Sequence, residues 1–295
     1  MEVQRKAVEI PDHIKAAARE EGEAYTPAQP IGNFAAIETK EVEVTCDKHG
    51  VSTSTVVMYG GEWTQETCKA CREEAAQQRR REQAQEAADA RKARTIELRK
   101  GISRIPDRFK NKRFDDFIPN GAEQESRLKT CKLYVEGFES VMEKGTSLIF
   151  CGNVGTGKTH LACAIGHELI DQGHKVRYTT VSAMIRQVRE SWGKGSSENE
   201  AEALQKFIDH DLLLLDEVGV QTGSDNEKTI IFEIINARYE RLKPTIVISN
   251  LAIEATKQGQ VSLTDYIGER VIDRLSENGG RTLAFTWESQ RGAKS

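Results

Sequence analysis

An apolar strand that runs straight into a glycine-rich turn and then a helix constrains this chain more than any other feature. Leu148-Ile-Phe-Cys leads into Gly152-Asn-Val-Gly-Thr-Gly-Lys158-Thr159, and His160-Leu-Ala-Cys-Ala-Ile continues as a helix. The run fits G-x-x-x-x-G-K-[ST] in the strand–loop–helix context that gives the motif its meaning. Glycines let the backbone wrap a phosphate chain, with the amides of Gly152, Asn153, Val154, Gly155, Thr156 and Gly157 turned inward. The helix N-terminus at Lys158, Thr159 and His160 adds its partial positive charge. Lys158 is expected to neutralise the β and γ phosphates and Thr159 to ligate Mg2+.

Further along, Asp211-Leu-Leu-Leu-Leu-Asp216-Glu217 reads as a buried strand whose end delivers two adjacent carboxylates to the sheet edge where ligands bind. Asp216 is expected to hold Mg2+ and its water shell. Glu217 is expected to orient or deprotonate an attacking water, which points to hydrolysis and not to nucleotide sensing alone. The strand Thr245–Ser249 ends in Asn250, which is suited to bonding a γ phosphate or a lytic water, or simply to forming a turn. Apolar runs at 147–151, 175–179, 212–215, 245–249 and 282–286 alternate with helical segments, the pattern of a parallel α/β sheet.

The first third reads differently. Cys46-x2-His49 and Cys68-x2-Cys71 form two knuckles separated by 18 residues, close to zinc-site spacing. Four such ligands close a tetrahedron around Zn2+ and leave no catalytic position, so the expected site is structural. A ribbon of about 30 residues has too little core to fold unaided, and the metal would substitute for one. Cys131, Cys151 and Cys163 stand singly among apolar residues and read as buried thiols.

The remaining organisation follows from composition. Residues 1–40 hold a short helix around Asp12–Glu23 and an irregular tether, and residues 41–71 hold the metal module with short strands. Residues 72–100 lack proline and large apolar stripes and are rich in Ala, Glu, Gln and Arg, which predicts a solvated helix of roughly 40 Å, broken by Gly101 and Pro106. Residues 101–130 form a linker. Between Arg99 and Arg113 stand seven basic residues and one acid, suited to a nucleic-acid backbone or to solubility alone. Residues 131–295 form the nucleotide-binding domain. The whole chain carries 42 Lys+Arg against 46 Asp+Glu, a net charge of −4, which argues against a wholly cationic nucleic-acid binder. No apolar run approaches the roughly 18 residues of a membrane span, and no secretory signal opens the chain, so a cytoplasmic location is expected.

The order of these motifs resembles an AAA+ ATPase. The stretches Leu215–Lys228, Arg238–Asn250 and Gly268–Leu275 are similar to the DnaC-type replicative helicase loaders and their prophage relatives, as is Gly101–Phe109 with Phe114 and Phe117. The likeness covers roughly residues 101–291. The amino-terminal third is similar to some prophage loaders only. The resemblance implies ATP as the nucleotide, a hexameric replicative helicase and single-stranded DNA as partners, and self-association through AAA+ interfaces. It implies that Arg274 is the arginine that reaches a neighbouring subunit's nucleotide, with Arg270 in support. Two surface arginines on one helix face is the plainer alternative. Arg291, in the closing Trp287-Glu-Ser-Gln-Arg291, is implied as a second sensor. The helix 181–192 lies where this family engages DNA, so Arg186, Arg189 and Trp192 are candidate contacts. Met184, Ile185 and Val188 make the opposite side of that helix core-facing. Two other functions compete: an IstB-like ATPase that assists a transposase, and a non-hydrolysing zinc adaptor. Intact Lys158, Asp216, Glu217 and Arg274 speak against the adaptor.

Overall fold

The structure, a computed structural model, describes residues 38–59, 62–64, 67–193, 195–220, 224–255 and 260–290. The helix expected at 12–23 and the sensor candidate Arg291 lie outside them. The chain divides into two compact units between Gln85 and Glu86.

In the first unit, β1 (Thr39–Cys46) and β2 (Gly50–Tyr59) form an antiparallel hairpin, with β3 (Glu62–Trp63) added to β2. Glu-Val-Glu-Val-Thr and Val-Ser-Thr-Ser-Thr-Val-Val supply the β-branched alternation that favours such a ribbon. Little of it is apolar inside. Val56 and Cys68 are the buried apolar side chains among its described residues. Arg72, in the first turns of the next helix, donates to the Ser54 hydroxyl at 2.7 Å and ties that helix to the hairpin. This helix, α1, spans Lys69–Ser103. Gly101 does not end it, contrary to expectation. One helical glycine costs only about 1 kcal/mol, and the chain leaves the helix at Arg104, in a left-handed conformation (φ 58°) two residues before Pro106.

The second unit is a five-stranded parallel sheet covered by helices on both faces. Two 3-10 turns, Asp107–Phe109 and Phe114–Asp116, precede α2 (Ala122–Glu136) and α3 (Phe138–Lys144). Then follow β4 (Leu148–Gly152), α4 (Lys158–Gln172), β5 (Val176–Thr180), α5 (Val181–Glu190) and α6 (Glu200–Ile208). The chain continues through β6 (Leu212–Val218), α7 (Asp225–Glu240), β7 (Thr245–Ser249), α8 (Leu263–Ile267), α9 (Glu269–Ser276) and β8 (Arg281–Phe285). The order across the sheet is β5-β6-β7-β4-β8. After β4 the chain therefore crosses β7 and β6 before re-entering at β5, which leaves the end of β4 open as a ligand crevice.

Strand alternation divides the core. Leu148, Phe150, Leu212, Leu214, Ile246, Ile248, Leu283 and Phe285 face α2, α3 and α4. Ile149, Cys151, Leu213, Leu215 and Val247 face α5 to α9. Strands buried on both faces read as continuous apolar runs, which is why all five were legible. Cys131, Cys151 and Cys163 are buried as expected. Within the segment 101–130, Phe114 and Phe117 pack in the first of these layers. No described helix is long and apolar enough to cross a membrane.

Candidate nucleotide and metal sites

The turn after β4 is shaped by parts of the chain far from it in sequence. Gly152 has φ 120°, and a Cβ there would stand 2.4 Å from the Phe285 carbonyl oxygen of β8. Gly157 has φ 92°, and its Cβ would meet the Phe117 ring at 2.6 Å. The segment after β8 lies along the loop. The Asn153 amide donates to the Thr286 carbonyl at 2.7 Å, the Trp287 indole N–H to the Thr156 carbonyl at 3.1 Å, and the Gln290 N–H to the Gly155 carbonyl at 2.9 Å. The Asn153 side chain thus serves this clasp, while its backbone belongs to the loop. Val154 is exposed and Thr156 buried. Lys158 is buried, and its Nζ donates to the carbonyls of Gly152 at 2.8 Å and Asn153 at 2.5 Å.

On α4, His160 bonds the Arg113 carbonyl at 2.9 Å through Nε2, and its ring meets Phe117 edge-on. Its side chain therefore faces the 101–130 segment, leaving its place at the helix N-terminus as its link to the loop. His167 bonds the Phe109 carbonyl at 2.9 Å, and Arg113 pairs with Asp171 at 2.8 Å. One side of α4 holds the basic segment in place, and its acids occupy part of the charge that made that segment a nucleic-acid candidate.

The two magnesium candidates meet. Thr159 Oγ1 donates to Asp216 Oδ2 at 2.9 Å, although 57 residues separate them. The same Oδ2 accepts the Tyr178 hydroxyl at 2.9 Å, and Oδ1 accepts the Glu217 N–H at 2.7 Å. Burial and the Asp216 charge push the Tyr178 phenol far above its ordinary pKa, so it stays a donor. Strict alternation would send Asp216 and Glu217 to opposite faces of β6. A register shift between Leu215 and Val218 breaks it: the partners on β7 are Val247 and Ser249, so two β6 residues oppose one. Glu217 takes a left-handed φ of 58° and is exposed, while Asp216 stays buried. Strain of this kind commonly gathers at functional sites. Asn250 follows β7 directly and is exposed.

Arg270 and Arg274 lie one turn apart on α9. Arg270 is exposed, whereas the Arg274 guanidinium rests over the rings of Phe232 at 4.6 Å and Tyr239 at 5.7 Å. One of its terminal nitrogens, NH1, is buried without a hydrogen-bond acceptor among the described residues. On α5, Val181, Met184, Ile185 and Val188 are buried while Arg186 and Arg189 are exposed, so both expectations for this helix hold on opposite faces. Arg189 lies 3.7 Å from Glu227. The helix ends at Glu190, two residues short of the expected Trp192, which is itself exposed.

In the first unit the four candidate ligands converge. Their Sγ and Nδ1 atoms lie within 4.8 Å of one another. His49 Nδ1 is 3.3 Å from Cys71, 3.6 Å from Cys46 and 3.7 Å from Cys68, and the Cys46 and Cys71 sulfurs are 3.5 Å apart. Zn–S bonds of about 2.3 Å and Zn–N bonds of about 2.0 Å give a tetrahedron with edges of about 3.5–3.8 Å, so the donor set fits Zn2+. The Cys71 amide and the Ser52 hydroxyl hold the Cys68 thiol down to about 6. Its bond with the Cys46 sulfur, burial and the neighbouring sulfur charges push Cys71 up to about 11. The raised Cys71 thiol reflects the cost of a further negative charge beside the other sulfurs, a cost that a cation among them would remove. Glu74 accepts from His49 Nε2 at 3.2 Å, which directs Nδ1 toward the sulfurs, and Glu74 is itself bonded by Lys48.

Residues 63–290 match the family described as IstB-like ATP binding protein. The chain belongs to that family. The chain is similar to the replicative helicase loader DnaC of Buchnera aphidicola (subsp. Acyrthosiphon pisum), 37% identical over 191 residues, 65% of this chain and 74% of that protein. The replicative helicase loader DnaC of Escherichia coli (strain K12) is 32% identical over 207 residues, 70% of this chain and 80% of that one. The crystal structure of the DnaC helicase loader superposes with a TM-score of 0.53 at 26% identity, covering 61% of this chain and all of the other. The second unit is thus an AAA+ ATP-binding domain, as its motifs implied. Sequence reasoning missed Tyr178, Trp287 as a loop contact, and Phe117 as a support beneath Gly157. Tyr178 lies in no motif, Phe117 and Trp287 lie in stretches that carry the family resemblance without a role of their own there, and only the fold brings all three to the nucleotide site.

Proposed function

We propose that this chain is an ATP-hydrolysing loader that places a replicative helicase on single-stranded DNA. The observation that supports it most is similarity to replicative helicase loaders along the ATP-binding unit, together with Lys158, Thr159, Asp216 and Glu217 all present at one sheet edge. Thr159 and Asp216 would hold Mg2+, which would supply charge neutralisation at the ATP phosphates. Lys158 binds the β and γ phosphates, and Glu217 takes a proton from the attacking water. Asn250 orients that water or the γ phosphate. The buried, loop-facing placement of Lys158 excludes bulk solvent from its charge and strengthens that interaction.

Hydrolysis needs a second protomer in this reading. Arg274 acts on the neighbour's nucleotide as the finger, with Arg270 in support, and Arg291 acts within its own chain. The Arg274 guanidinium rests over Phe232 and Tyr239 with its NH1 buried, so reaching a neighbour's nucleotide requires it to turn away from these rings. Arg186 and Arg189, on the exposed side of α5, and Trp192, in the turn after it, contact the DNA strand. The four-ligand cluster binds Zn2+ structurally and holds the amino-terminal hairpin together. Work of this kind belongs in the cytoplasm.

The test is co-purification of the full chain with its host's replicative helicase in ATP and in ADP. A nucleotide-dependent complex supports the loader. Absence of a complex, with retention of a transposase instead, favours the second reading, to which the IstB-like family match lends weight. For the finger, Arg274→Ala should bind ATP normally yet hydrolyse poorly, and mixing it with Glu217→Gln should restore some activity at interfaces joining an intact Arg274 to an intact Glu217. No rescue in verified mixed assemblies would place Arg274 in its own chain's site.

A further inference from the structure

Tyr178 belongs to neither nucleotide motif, yet it is one of the three donors that surround Asp216. It lies buried in β5, where Thr180 pairs with Asp216 and Tyr178 with Leu214 of β6. Its hydroxyl crosses to Asp216 Oδ2, the oxygen that also takes the Thr159 hydroxyl, while the Glu217 N–H fills a site on Oδ1. A carboxylate offers about four lone-pair sites, so three of them are occupied by the chain itself.

The three donors respond differently to a metal. The Thr159 hydroxyl must turn a lone pair toward the ion to become its ligand, and in doing so gives up its present line to Oδ2. The Glu217 amide is fixed by the backbone. Tyr178 is fixed by its packing among the residues of the sheet's first core layer. Once Thr159 has turned, Tyr178 and the Glu217 amide are what hold the carboxylate plane, one on each oxygen. A hydrogen bond to an ionised acceptor is roughly twice as strong as a neutral one, and Asp216 is 6% exposed, so water is a poor replacement.

We propose that Tyr178 is a positioning residue for the Mg2+ of the nucleotide site, holding Asp216 in the orientation that receives the ion. This rests on the reading of Thr159 and Asp216 as the magnesium pair. Loss of such an outer partner typically costs 10–100-fold in metal affinity. The experiment titrates Mn2+, read by electron paramagnetic resonance, into the full chain with a non-hydrolysable ATP analogue, for wild type, Tyr178→Phe and Asp216→Ala. Phenylalanine keeps the ring and removes only the hydroxyl. The expected result is a half-saturation point about tenfold higher in Tyr178→Phe, with analogue binding in EDTA unchanged. A wild-type midpoint overturns the proposal, including the case in which the melting temperature falls, since that result makes Tyr178 structural only. If Asp216→Ala also leaves the midpoint unmoved, the magnesium pair itself is wrong and the role of Tyr178 falls with it.

Discussion

Arg238 is 1% exposed and has no carboxylate among its hydrogen-bond partners in the described residues, so its replacement tests how this fold balances a buried charge. Its Nε donates to Thr245 Oγ1 at 3.0 Å, NH1 to the carbonyls of Phe207, Ile208 and His210 at 2.8, 2.9 and 2.9 Å, and NH2 to the Pro244 carbonyl at 2.6 Å. Phe207 and Ile208 close α6, where helical carbonyls lack intrahelical partners. One side chain on α7 thus caps α6 and fixes the entry to β7. Arg238→Met fills most of the volume but leaves four carbonyls without this donor. Each buried acceptor left unpaired costs about 1–3 kcal/mol. With relaxation and some water entry, we expect a loss of about 4 kcal/mol. At a urea slope of about 2 kcal/mol/M, the unfolding midpoint of the ATP-binding unit should fall by about 2 M, read by circular dichroism with fluorescence of Trp192 and Trp287. Arg238→Lys, with three donors in place of five, should fall between. A midpoint within 0.3 M of wild type, roughly 0.6 kcal/mol at that slope, would refute the capping argument.

Lys158→Ala should abolish productive nucleotide binding, and wild-type affinity in a fluorescent-nucleotide titration would remove the P-loop assignment. Glu217→Gln should bind ATP while turning over about 10²–10⁴-fold more slowly, the range for loss of a general base, and an unchanged rate places the base elsewhere. Elemental analysis of protein purified without chelator should find about one Zn2+ per chain, and chelation should unfold the hairpin while the ATP-binding unit persists; retention of full metal content by a Cys68→Ser, Cys71→Ser variant contradicts the site. His210 is held down to about 4, first by burial and then by the charges of Arg177 and Arg238, against an ordinary 6.5. The unfolded chain therefore binds the proton first, so stability should fall as pH drops from 6.5 toward 4, by up to about 2 kcal/mol after discounting for solvent. His210→Gln should flatten that limb of a pH–stability curve, and an unaltered slope would assign it to other groups.

What the sequence disclosed followed from local chemistry. The five core strands are short runs of apolar residues buried on both faces, and each observed strand overlaps its expected run to within a few residues. The motif glycines and Lys158, the knuckle spacing of Cys46, His49, Cys68 and Cys71, and the two-faced pattern of 181–190 are equally local. The bulge in β6 was not legible, because alternation over Leu212–Glu217 gives no sign of where an extra residue enters. Arg238 stood inside a family stretch with nothing to separate a cap from a catalytic group. Tyr178 carries no motif, and its role depends on strand order, which places β5 beside β6. The end of α1 lies three residues beyond the expected 100 because a single glycine is a weak breaker, and the tertiary packing of Ile96 and Ser103 holds the last turns.

The glycine-rich turn itself shows how far a local motif can depend on distant structure. Two of its glycines are required by neighbours, whatever the ligand: Gly152 by the carbonyl of Phe285 on β8, and Gly157 by the ring of Phe117. A methyl group at either position would displace a strand or a core aromatic, and the positive φ would add its own strain. The carbonyls of Gly155 and Thr156 are taken by Gln290 and Trp287, so the outward side of the turn is already bonded. These contacts leave the loop amides with a conformation fixed by the protein. Ordering the loop then adds little to the cost of binding a phosphate chain, because the fold has met that cost in advance. The same contacts couple the last strand and the segment after it to the nucleotide. A change at Trp287 should therefore reach the phosphates through the loop backbone, without any contact of its own with them.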